Sequence, residues 1–131
     1  MAAAEKRQFI PPPGGMGNLP FSNAVIAGNT VYLAGHLGFD PATRSIPSDI
    51  EKEARYMMDA LQDTLTRAGL TMQDLVSLTV YCPDPTLFER FNAVYRMYVR
   101  APFPARAFIG SGPLLFGAHF EIQGIAVKPE A

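Results

Sequence analysis

The chain has 131 residues, enough for one domain that buries about two thirds of the surface its unfolded form would expose. Eleven Lys and Arg stand against twelve Asp and Glu, and the basic residues are dispersed, which argues against nucleic acid as the main ligand. Hydrophobic residues make up 48% and charged residues only 18%, an apolar excess for a small lone domain that points to burial between subunits.

Residues 1–18 form a Pro- and Gly-rich arm expected to be extended and partly loose, and residues 19–131 form the single domain. Residues 8–39 hold no Lys, Arg, Asp or Glu, but four prolines and three asparagines interrupt them, so no apolar helix of ~20 residues spans a membrane there. The opening MAAAEKRQF lacks the apolar centre of a secretory signal, and the single Cys82 excludes an internal disulfide framework. Both features are those expected of a cytoplasmic protein.

SNAVIAGNTVYLAGHLGF reads as two short β-rich runs about a Gly28-Asn29 turn, with FDPATRSIP as a following loop. A helix follows. Ser48 and Glu51 have capping-box spacing, Asp49 favours the positive end of the helix dipole, and Ile50, Ala54, Met57, Met58, Leu61, Leu65 and Ala68 recur at helical spacing before Gly69. LVSLTVYC, residues 75–82, is a strand. Asp84 and Pro85 then start a second helix as N-cap and N1, with Phe88, Phe91, Val94, Tyr95 and Tyr98 as its apolar stripe. FPARAFIGSGPLLFGAHFEIQGIAV, residues 103–127, reads as two strands joined by a loop.

The order ββαβαββ predicts a two-layer α+β domain, with two helices on one face of a mixed, mostly antiparallel sheet. Both alternating sets of residues 30–38 are short of charge. In the last strand Phe120, Ile122, Gly124 and Ala126 form one apolar row, and Glu121, Gln123, Ile125 and Val127 a mixed one. A sheet apolar on both faces with helices for only one calls for a second copy as cover.

Two charges stand out in the apolar final quarter. Arg106, preset by Pro104-Ala105, carries a rigid fork of donors matched to a carboxylate, and Glu121 sits within a strand. Taken singly, Arg106 reads as a surface or ion-paired residue and Glu121 as a solvent-face one. Together in a cleft they would suit a small acid, the Arg gripping its carboxylate and the Glu orienting water or carrying a proton. His36, His119 and Cys82 have no paired metal-ligand spacing, so no metal site is expected. There is also no phosphate-binding loop or dinucleotide fingerprint.

LPFSNAV, VYLAGHLGFDPATR, DLVSLTVYCPDPTLFERFNAVY, FPARAFI and HFEIQGIAV together resemble the RidA/YjgF family of reactive intermediate deaminases, over about Leu19 to Val127. The resemblance implies a chorismate-mutase-like subunit in a homotrimer with clefts at the subunit interfaces. It also implies hydrolysis of enamine and imine intermediates to 2-oxo acids and ammonia without a cofactor. Arg106 would bind the substrate carboxylate and Glu121 position the water, while Phe21, Gly35 and Asn92 match positions that wall or shape the cleft. Three departures mark this chain: Ala34 replaces a common Ser, His36 a common Gln, and Phe108 a small residue two places after the Arg. They predict a bulkier, less polar pocket. The alternative readings are a non-catalytic module binding small carboxylates or a protein partner, and the ribonuclease or translation-inhibitor activity ascribed to some members.

Overall fold

A computed structural model describes residues 6–14 and 18–130. The strands are β1 (Arg7–Ile10), β2 (Ala24–Ala27), β3 (Thr30–His36), β4 (Leu75–Cys82), β5 (Ala105–Gly110) and β6 (Glu121–Val127), and the helices are α1 (Ile50–Arg67) and α2 (Phe88–Tyr98). Apart from β1, this is the expected order. RQFI is too short to show a period of its own; it becomes a strand by pairing antiparallel with β2, Arg7 opposite Ala27 and Ile10 opposite Ala24. The N-terminal arm thus adds an edge to the sheet.

The strands run β1-β2-β3-β6-β4-β5, antiparallel throughout except for β4 and β5, which α2 connects as a parallel pair. β5 and β6, consecutive in sequence, are therefore not neighbours: β4 lies between them. Residues 111–120 carry the chain back so that β6 runs antiparallel to both β3 and β4.

Helical and strand periods meet in one core. Ala54, Met57, Met58, Leu61 and Leu65 of α1 and Phe91 and Val94 of α2 pack with Val31, Leu33, Leu78, Val80, Phe120, Ile122 and Ala126 from the sheet. The apolar row of the last strand thus faces the helices, while Glu121, Gln123 and Ile125 face away from them. The open face also carries Tyr32, which is 50% exposed. Among the described residues no helix is long and apolar enough to cross a membrane.

The start of α1 differs from expectation. Asp49, not Ser48, is the N-cap, accepting from the Lys52 N–H at 2.9 Å. Both side chains suit the role, and the carboxylate adds attraction to the helix dipole. Glu51 is thereby free to bind Arg90 through two hydrogen bonds of 2.8 Å, tying α1 to α2, and this holds the Glu51 carboxyl at about 2. At the other end Gly69 takes the left-handed conformation (φ 80°) that a side chain would resist, as expected.

Candidate functional site at the two faces of the sheet

Arg106 lies opposite Leu78 in the β4–β5 ladder, so its side chain rises on the helix side of the sheet at the outermost strand. There its Nη2 donates to Asn92 Oδ1 at 2.8 Å. The guanidinium carbon sits 4.6 Å from the Tyr95 ring centre, and the rings of Phe88, Phe91 and Phe108 lie between 5.7 and 5.9 Å away. Asn92 and Tyr95 reach the same point because they are one helical turn apart on the buried side of α2. Among the described residues no carboxylate pairs with Arg106. Its charge is met by one amide oxygen and by aromatic faces, which hold the fork in one plane and leave donors for a ligand. The groove in front of it has a volume of about 350 Å³ and is lined by Phe88, Asn92, Tyr95, Phe103 and Pro104 among others. Desolvation lowers the Arg106 pKa, but a guanidinium stays charged regardless.

Glu121 occupies the other face. It stands opposite Tyr81, in the row that also pairs Thr79 with Gln123, and Gln123 Nε2 donates to the Tyr81 hydroxyl at 3.1 Å. Its carboxylate lies over the backbone of Gly35, where a Cβ would overlap Glu121 Oε2. Only glycine allows that approach. Burial without a counter-charge raises the Glu121 pKa. Gly35→Ala should push the carboxylate off this seat, a displacement that a crystal structure of the folded variant would show.

The candidate residues therefore fall into two groups. Arg106, Asn92 and Phe108 converge on the helix side, with Phe108 edge-on to Phe88 at 5.1 Å and forming the wall behind the guanidinium. Glu121 and Gly35 meet on the open face. Within one chain the two groups do not share a cleft. Phe21, half-exposed just before β2, does not line the Arg106 groove. Among the described residues no cluster of His, Cys, Asp and Glu is arranged to hold a metal ion.

His36 and His119 are both bonded within the fold. A bulge between Leu33 and His36 in the β3–β6 ladder turns His36 to the helix side, where it is buried. His119 Nδ1 lies 2.7 Å from Glu53 Oε1, and Glu53 is fully buried. Glu53 and Thr64 went unnoticed in the sequence, although both fall on the apolar stripe of α1. A carboxylate at a core position of a helix is the signal that could have found it.

The chain matches the family model described as Endoribonuclease L-PSP over residues 17–128. It is 36% identical over 110 residues to the Bos taurus protein named 2-iminobutanoate/2-iminopropanoate deaminase, covering 83% of this chain and 80% of that one. The Homo sapiens protein of the same name is 32% identical over 117 residues, covering 88% of this chain and 84% of that one. Among solved structures, RidA from an Antarctic Psychrobacter bacterium superposes with a TM-score of 0.83 at 32% identity, over 92% of this chain and 98% of that one. With the matched region running from ahead of β2 to past the end of β6, and a solved relative superposing over nearly its whole length, the chain belongs to the Endoribonuclease L-PSP family, that of RidA and YjgF.

Proposed function

We propose that the protein hydrolyses reactive imines of 2-oxo acids, and their enamine tautomers, to the 2-oxo acid and ammonia. The observation that carries this reading is the Arg106 guanidinium: hydrogen-bonded to Asn92, set over the Tyr95 ring, in no ion pair among the described residues, and open to a groove that Glu89 also lines. Such a fork takes a carboxylate in bidentate fashion. The names of the relatives at 32–36% identity support the same substrate class.

Glu121 stands on the far side of the same sheet, so a complete site needs two copies, the Arg106 groove of one set against the open face of the next. We read the assembly as a closed homotrimer with three such clefts. Exposed apolar groups on the sheet, Tyr32 among them, support an intersubunit cover.

In the step we propose, the water oxygen bonds to the imine carbon as its proton passes to the Glu121 carboxylate. Glu121 delivers that proton to the nitrogen, giving a carbinolamine. It then takes the hydroxyl proton and passes it to the amine as the C–N bond breaks, so ammonia leaves and the C–OH becomes the carbonyl of the 2-oxo acid. Acid–base help of this kind is worth ~10²–10⁴-fold, enough for a reaction already feasible in water without cofactor or covalent nucleophile.

The deciding assay follows ammonia release from enzymatically generated 2-iminopropanoate or 2-iminobutanoate. No acceleration over spontaneous hydrolysis would reject the reading, and stabilisation by 2-oxo acids without turnover would favour a binding module. RNA is disfavoured by the near balance of charge.

Burial of Glu121 also sets the pH dependence. Its working form is the carboxylate and its pKa is raised, so kcat/KM should fall as pH drops through a value above the ordinary 4.5 of glutamate. In Glu121→Gln that acid limb should vanish along with most of the rate. An unchanged limb in the variant would assign the titration to another group.

A further inference from the structure

Four polar or charged side chains are buried among the described residues: His36, Glu53, Thr64 and Asn92. Asn92 holds Arg106. The other three act on the two backbone segments that carry Gly35 and Glu121. We propose that α1 sets the position of the Glu121 carboxylate through the sheet, by two buried struts: Thr64–His36 to the bulge of β3, and Glu53 to the start of β6. In the deaminase reading, on which this inference rests, these are positioning residues.

The first strut is a closed ring of hydrogen bonds. The bulge takes the Ala34 peptide out of the β3–β6 ladder. The Ala34 N–H donates to the Asn23 carbonyl at 2.9 Å, and the Ala34 carbonyl lies 2.6 Å from His36 Nδ1. A carbonyl only accepts, so Nδ1 carries the proton. Burial lowers the His36 pKa and keeps the ring neutral, so Nε2 must accept. Its partner at 2.8 Å is the Thr64 hydroxyl, which turns its proton to His36 rather than to the Ala60 carbonyl 3.1 Å away. Asn23 Nδ2 donates to the same hydroxyl oxygen at 3.1 Å and closes the ring. Both backbone polar groups of Ala34, and with them the adjoining Gly35, are thus tied through His36 and Asn23 to Thr64 of α1.

The second strut ends one residue before Glu121. Glu53 Oε2 accepts the backbone N–H groups of His119 at 2.7 Å and Phe120 at 3.1 Å, and Oε1 meets His119 Nδ1 at 2.7 Å. Gly38 lets the chain leaving β3 press against the Glu53 backbone, since a Cβ there would overlap the Glu53 carbonyl. Glu53 and Thr64 are about three helical turns apart, roughly 16 Å along one face of α1. The helix therefore anchors β3 and β6 on either side of the place where the Glu121 carboxylate lies close over the Gly35 backbone. Apolar residues at these places would pack the core equally well, but they could not hold a bulged peptide or a strand entry by its polar groups.

The test compares Thr64→Val, Glu53→Gln and His36→Gln in the full-length oligomer by imine deamination and by amide hydrogen exchange. Thr64→Val and Glu53→Gln should lower kcat by roughly ten- to hundredfold, the scale of a small misplacement at a reacting centre. KM should hold within about twofold, because the Arg106 groove is untouched. His36→Gln, whose amide can replace Nε2 at the Thr64 hydroxyl but not Nδ1 at the Ala34 carbonyl, should retain part of the rate. Exchange should quicken at Ala34–His36 in Thr64→Val and at Phe120–Glu121 in Glu53→Gln, with α2 and β5 unchanged. A lower Tm with unaltered kcat, or unaltered local exchange, overturns the proposal. If the wild type releases no ammonia, the deaminase reading fails and exchange alone decides the struts; if Glu53→Gln does not fold, Thr64→Val decides.

Discussion

Arg106→Ala is expected to leave a folded protein that has lost nearly all deaminase activity. Removing one partner of a desolvated, hydrogen-bonded charge pair costs about 2–5 kcal/mol, which is roughly 30- to 5,000-fold in kcat/KM. The groove offers no substitute: Arg96 also lines it, but it is exposed, where an ion pair contributes little. Arg106→Lys should fall between, because it keeps the charge and loses the fork that Asn92 and Tyr95 hold in plane. Circular dichroism and Tm must confirm the fold, since the guanidinium also packs on aromatic rings. A folded Arg106→Ala with undiminished kcat/KM would remove the residue from the site and the carboxylate grip from the mechanism.

The second large effect is a recovery. Arg106→Ala and Glu121→Gln should each be nearly inactive alone. Unfolded together and co-assembled, they should regain activity, because Arg106 and Glu121 lie on opposite faces of one sheet with β4 between their strands. A cleft built from two copies is whole when one supplies an intact Arg106 and the other an intact Glu121. Random mixing in a closed ring makes about one cleft in four whole, so about a quarter of wild-type activity is the ceiling. Mixing without subunit exchange should restore nothing. A co-assembled mixture as inactive as its parents would mean that the two groups do not complete each other's site across an interface.

The fates of Arg106 and Glu121 show how far local reading reaches. Their residue types, and the Pro-Ala lead into one strand, already pointed to a carboxylate and a proton acceptor. That they belong to opposite faces was not legible, because β5 and β6 look like neighbours until β4 is placed between them. His36 shows the same limit at smaller scale. Strict alternation puts it on the Tyr32 face, but one extra residue in the β3 bulge turns it into the core beside Thr64. Phe21 is marked by the family resemblance alone, and within one chain it does not line the Arg106 groove.

The α1 stripe and the alternation of residues 120–127 could be read directly, because side-chain direction repeats every 3.6 or 2 residues as a consequence of backbone geometry. Asp84 and Pro85, expected as N-cap and N1 of the second helix, instead open a 3₁₀ turn over Pro85–Leu87, and α2 starts at Phe88 without a side-chain cap. Folding of the whole chain was needed to turn Arg7–Ile10 into a strand, to insert β6 between β3 and β4, and to bury Glu53 beneath the entry to β6. Those outcomes depend on hydrogen-bond register and packing between segments tens of residues apart, and no window along the chain contains both partners.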